Sequence, residues 1–102
     1  MGIDARIEDE NGGCIEELLD ETSVVNKLLL NMTEKNSICF RFVDPYGDTT
    51  FNQEQLPVFI HELEDAISKA NNGQAKMHGM RLLQLAKKHV GQPHIYLKFY
   101  GD

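Results

Sequence analysis

Between Pro57 and Tyr100 the apolar residues recur first every three or four positions and then every second position. A chain with that change of period must pack helices against a strand. Phe59, Ile60, Leu63, Ala66, Ile67 and Ala70 make one helical stripe. Pro57 disfavours α geometry at Leu56 and cannot donate inside a helix, so the helix is expected to start at Pro57, with 52–56 as a short turn before it. Asn71-Asn72-Gly73 breaks the chain. A second helix is predicted from about Ala75 to Val90, burying Gly79, Leu82, Leu83, Ala86 and Val90. Gly79 on that face allows close packing at some cost in helix propensity. Lys87, Lys88 and His89 suit the C-terminus of that helix, Gly91 its exit and Pro93 its stop. From His94 to Tyr100 the alternation is strict: Ile95, Leu97 and Phe99 point inward, and His94, Tyr96, Lys98 and Tyr100 outward.

The first half reads less cleanly. Ile3, Ala5 and Ile7 alternate with polar residues as in a half-buried strand, and Asn11-Gly12-Gly13 reads as a hairpin loop. A three-residue loop with Gly13 left-handed puts Ile15 and Leu19 on the face of Ala5 and Ile7, whereas a two-residue loop puts Glu16 there, so the longer loop is preferred. A helix from Cys14 onward is the rival, because Ile15, Leu18 and Leu19 also fit helical spacing. Thr22 or Ser23 can cap a helix burying Val24, Val25, Leu28, Leu29 and Met32, which the polar residues 33–37 end. Ile38 to Val43 is a strong strand signal, with Ile38, Phe40 and Phe42 on one face and Cys39, Arg41 and Val43 on the other. Asp44-Pro45-Tyr46-Gly47 then supplies turn chemistry: Asp44 to accept from the next amides, Pro45 with its fixed φ, and Gly47 in the left-handed region. Asp48 to Phe51 runs back as a short strand, and Asn52 with Gln55 three residues on forms a capped turn. The predicted order is β-β-α-β-β-α-α-β, an α+β fold. Its antiparallel sheet has about five strands, with helices packed on one face.

The 102 residues fit a single domain. The formal charge of −6 is uneven. Residues 1–21 hold eight acids (Asp4, Glu8, Asp9, Glu10, Glu16, Glu17, Asp20, Glu21) against the one base Arg6, while the rest is nearly neutral. Such a field disfavours nucleic acid and favours a basic protein partner. No apolar run is long enough for a membrane span, and the first residues lack a signal peptide's apolar core. Cys14 and Cys39 have neither metal-ligand nor disulfide-framework spacing, so reduced thiols and a cytoplasmic location are expected.

Chemistry is sparse. Asp44 and Asp48 invite a hard-cation site, and with His61 they define one alternative function, a metal-assisted hydrolase. Turn formation already accounts for Asp44, however, and the EF-hand spacing is absent. His61, Glu62 and Asp65 are placed on the solvent face of the Pro57 helix, where His61 and Asp65 at i, i+4 lack a third ligand. No nucleophile elbow and no phosphate-binding glycine loop occur. No catalytic residue, cofactor or metal is assigned. The outer sheet face, with Tyr96, Tyr100 and Arg41, offers residue types enriched at protein interfaces. A homodimer pairing through this face is a further alternative.

The stretch Cys39-Phe40-Arg41-Phe42-Val43-Asp44-Pro45-Tyr46-Gly47-Asp48-Thr49, then Phe51-Asn52, Pro57, Glu62-Leu63-Glu64 and the terminal Tyr96-Leu97-Lys98-Phe99-Tyr100-Gly101-Asp102, resembles a small uncharacterised bacterial protein family. The resemblance covers roughly residues 37–102 and implies a bacterial cytosolic protein without implying an activity. In size and charge the chain is also similar to immunity proteins that neutralise secreted toxins. The expected function is therefore non-enzymatic protein binding of the immunity type. Glu8, Asp9, Glu16 and Glu17 would steer a basic partner, and Arg41, Tyr46, Asp48, Tyr96 and Tyr100 would contact it.

Overall fold

The computed structural model describes residues 2–21, 23–25, 28, 39, 42–44 and 46–101. Expectations placed on Thr22, Leu29, Met32, residues 33–37, Ile38, Phe40, Arg41, Pro45 and Asp102 lie outside the described residues. The fold is α+β: β1 (Asp4–Asp9), β2 (Cys14–Leu18), β3 (Asp48–Phe51), α1 (Leu56–Lys69), α2 (Gly73–His89) and β4 (Ile95–Tyr100). The described strands form one antiparallel sheet in the order β2-β1-β4-β3, four strands rather than five. No helix among the described residues is long and apolar enough to cross a membrane.

The alternation in β1 and β4 places Ala5, Ile7, Ile95, Leu97 and Phe99 in the core, as expected. Register aligns Ala5 with Phe99 and Ile7 with Leu97. Phe51 and Phe99 meet the Phe59 ring of α1 at centroid distances of 5.4 and 5.5 Å, both tilted, and meet each other edge-on at 6.1 Å, as aromatic quadrupoles prefer. The Leu56 to Ile67 stripe of α1 completes this cluster.

The turn before α1 closes as a reciprocal pair: the Gln55 N–H donates to Asn52 Oδ1 at 3.0 Å, and the Asn52 N–H to Gln55 Oε1 at 2.9 Å. Helix α1 begins at Leu56, so Pro57 stands in the first turn, where its missing donor costs nothing. Helix α2 starts two residues earlier than predicted because Asn72 caps it, its Oδ1 accepting the Ala75 N–H at 3.0 Å. It buries Leu85 and His89, whereas Leu83 is only half-buried and Val90 is exposed. A Cβ on Gly79 would lie 2.9 Å from Ile67 Cγ1, so the glycine is what lets α2 approach α1 so closely.

Two sequence expectations fail here. Cys39, Phe42 and Val43 do not form a strand: the Phe42 N–H donates to Cys39 O at 3.0 Å, a turn. Cys39 and Val43 are buried and Phe42 is 61% exposed, the reverse of the faces inferred from alternation. Among the described residues, strand β3 pairs with β4. The Thr49 hydroxyl explains the switch, because it accepts the Asp44 N–H and donates to Phe42 O, groups that a hairpin ladder would have used.

Candidate functional site

The acidic hairpin is built from its turn outward. The Asp9 carboxylate accepts the N–H groups of Asn11 and Gly13, and Asp9 N–H donates to Gly13 O at 2.9 Å. The loop is thus Glu10-Asn11-Gly12, with Gly12 left-handed (φ 82°) rather than Gly13. A Cβ at Gly13 would lie 2.7 Å from Asp9 Oδ2, so a larger residue there would make the Asp9 carboxylate shift.

Beyond the turn the ladder slips. Glu8 pairs with Cys14 but Ile7 pairs with Glu16, leaving Ile15 as the extra residue of a β-bulge. One added residue exchanges the two faces of everything after it. Glu16 and Leu18 therefore share the inner face with Ile7 and Ala5, while Ile15 and Leu19 are each 46% exposed, the opposite of the expected register. The helix from Cys14 is excluded, since these residues are a paired strand.

An inward glutamate needs partners, and α2 supplies them. Glu16 Oε1 takes Lys88 Nζ at 2.6 Å and His89 Nε2 at 3.0 Å. The hydrogen bonds from Lys88 and then His89 hold the Glu16 carboxyl below its ordinary pKa. His89 is buried, and its Nδ1 meets Gln92 Oε1 at 2.9 Å.

The other acids are engaged in the same way. Asp20, buried, accepts the N–H groups of Ile3, Val24 and Val25, so Asp20 ties strand β1 to the segment that follows. Its own N–H donates to Asp4 Oδ1 at 2.8 Å. Glu10 Oε2 pairs with His94 Nδ1 at 3.0 Å on the surface. Glu8 is buried and accepts the Tyr100 hydroxyl, which raises the Tyr100 pKa. Arg6 Nε lies 3.3 Å from Glu17 Oε2, an ion pair too poorly aligned for a hydrogen bond. The Arg6 guanidinium and Lys98 Nζ sit 4.9 and 4.8 Å from the Tyr100 ring centroid. Tyr100 thus organises the outer face, with Tyr96 half-buried beside it.

The Asp44 loop carries the expected turn bonds. The Tyr46 N–H donates to Asp44 Oδ1 at 2.9 Å and the Gly47 N–H to Asp44 O at 3.4 Å. Gly47 is not left-handed; a Cβ there would lie 2.7 Å from Asp44 Oδ2, so a larger residue would make the Asp44 carboxylate shift. Tyr46 is 72% exposed and Asp48 is exposed, so neither is used by the core. Glu62 belongs to the interior: it is buried and accepts the Cys39 N–H at 3.0 Å. Burial, then the nearby Glu62 charge, raises the Cys39 thiol pKa. Asp65 pairs with Lys69. No three His, Cys, Asp or Glu side chains among the described residues could hold a metal ion, so Asp44, Asp48 and His61 do not form such a group.

What sequence reasoning missed is a cleft where β2 faces α2. Two adjoining depressions of about 350 and 320 Å³ share Glu17, Leu18 and Arg81. The first reaches Leu85 and Lys88, the second Leu19 and Glu21. His78 borders the second, where burial lowers its pKa. Comparisons with protein-family models, with curated proteins and with solved structures gave no match.

Proposed function

We propose that this chain is a non-enzymatic domain that binds a basic protein, in the manner of an immunity protein. The observation that carries the reading is the surface at β2: Ile15 and Leu19, each 46% exposed, stand within the most acidic segment of the chain. Apolar contacts inside a charged surround are the usual composition of a binding patch, with the charge governing encounter and the apolar groups residence. The acids are mostly tied to groups of the same chain, yet their negative charge exceeds that of the one base in residues 1–21. Tyr46, exposed on its loop, remains a candidate contact.

The test is affinity capture from a bacterial extract by the chain and by its Ile15→Asp/Leu19→Asp variant, with the captured proteins identified by mass spectrometry. A basic protein retained by the parent chain, lost by the folded variant and released by salt is the expected result. Equal capture by both overturns this surface. A captured nucleic acid or acidic protein overturns the class of partner.

A further inference from the structure

We propose that His89 is a buried proton latch: with both ring protons it ties strand β2 to the turn between α2 and β4, and losing one releases that turn. The ring lies in the last turn of α2, its side chain only 6% exposed. Both nitrogens face oxygen acceptors, Nε2 with Glu16 Oε1 at 3.0 Å and Nδ1 with Gln92 Oε1 at 2.9 Å. A neutral imidazole has one N–H and satisfies only one of these acceptors, whereas an imidazolium has two and satisfies both.

The orientation of Gln92 makes the difference. Gly91 is left-handed (φ 85°), so the chain doubles back after α2 and the Gln92 N–H donates to His89 O at 3.2 Å. Gln92 Nε2 donates to Lys88 O at 3.5 Å, which leaves its Oε1 towards the ring. Turning the amide over would set two carbonyl oxygens against each other and lose that bond. Glu16, from β2, and the C-terminal end of the α2 dipole favour a cation at this place. Lys88, which shares the same carboxylate oxygen, and Arg81, which lines the same cleft, oppose it. Gln92, from the turn, is uncharged.

The two bonds do not respond equally when one proton leaves. The bond to a carboxylate is the stronger, so Nε2–H stays with Glu16 and Nδ1 becomes an acceptor. Gln92 must then turn its amide round or leave the ring, and either breaks its bond to Lys88 O. The turn that feeds β4 loosens on this side, while Gln53 still holds the Gly91 N–H at 2.9 Å and Ile95 O at 3.0 Å from the other. Glu16 keeps a neutral donor where it had a cation, so β2 is held less firmly. The latch acts within the chain and needs no partner.

The test is ¹⁵N NMR of the histidine rings, the Gln92 side-chain amide and the Glu16 backbone amide in the intact chain, from about pH 5 to about pH 9. The expected result is loss of the Nδ1 proton of His89 as pH rises, with a step in the Gln92 and Glu16 signals at the same pH. His89→Gln should abolish that step. Gln92→Leu removes one acceptor of the charged ring and should move the His89 step to lower pH, leaving the signals of His61, exposed on α1, unchanged. Loss of the Nε2 proton instead, or a Gln92 amide that does not follow the ring, overturns the latch. An unmoved His89 step in Gln92→Leu overturns it too, because Gln92 would then not be an acceptor of the second proton.

Discussion

Glu16 and His89 are 73 positions apart and meet at 3.0 Å, joining the outer strand β2 to the last turn of α2. Lys88 shares the same carboxylate oxygen. The contact exists because the bulge at Ile15 turns Glu16 inward. It joins cations at a helix C-terminus, where the backbone dipole favours them, to an outer strand of the described sheet.

Acid should therefore loosen the β2–α2 junction. The Glu16 carboxyl is depressed by Lys88 and His89, so the folded state releases this proton more readily than the unfolded state does. Its stabilising effect is complete above the ordinary carboxylate pKa, about 4.5, and is lost as pH falls through the lower folded value. Urea unfolding from pH 7 down to about pH 3 should show a shallower acid dependence for Glu16→Gln than for the parent chain. Parallel curves would mean that the junction contributes nothing to stability.

The choice between Leu83 and Leu85 separates pattern from packing. Leu85 lies in the main core cluster, while Leu83 is only partly buried against it. Leu85→Ala should cost about 2–4 kcal/mol in chemical denaturation, and Leu83→Ala distinctly less. The reverse order would restore the helical face inferred from spacing alone.

How legible the chain was depends on where tertiary contacts override local pattern. The Phe59 to Ile67 stripe and the Ile95, Leu97, Phe99 alternation were readable because each has one strong period and a buried face. The Asn52–Gln55 box was readable because its chemistry is local. Cys39, Phe42 and Val43 misled because alternation there met a turn held by Thr49, several residues away. The candidate site was the least legible part. A single bulge residue, Ile15, exchanged the faces of β2, and no composition signal marks a bulge. Asp20 and Glu62 counted as surface charge in the sequence, but they are buried and serve as acceptors for backbone N–H groups.

Gly79 should not tolerate a methyl group. Alanine in a helix interior gains about 1 kcal/mol over glycine in propensity. Against that, the new Cβ would stand 2.9 Å from Ile67 Cγ1 and 3.3 Å from Leu28 Cδ1, and overpacking of this kind costs about 1–3 kcal/mol. Ile67 Cγ1 is close to its own backbone and cannot swing clear as a chain end would. Gly79→Ala is expected to lower the urea midpoint, with a net loss of about 1 kcal/mol. A raised midpoint would show that α1 and α2 can separate without loss.

The outer face gives the last prediction. The Tyr100 hydroxyl donates to the buried Glu8 carboxylate, while its ring is approached by both Arg6 and Lys98. Tyr100→Phe keeps the ring and both cation contacts but removes the donor. A buried carboxylate left without its hydrogen bond costs more than the bond contributes when made, so the variant should lose about 1–2 kcal/mol. Glu8→Gln in the Tyr100→Phe background should recover part of that loss, because an uncharged amide is cheaper to leave unpaired. The Lys98 ammonium, whose pKa is raised first by the Tyr100 hydroxyl, should titrate at lower pH in Tyr100→Phe, which ¹⁵N NMR of the side chain would read. Unchanged stability together with an unchanged Lys98 titration would mean that the hydroxyl is solvated rather than shared with Glu8.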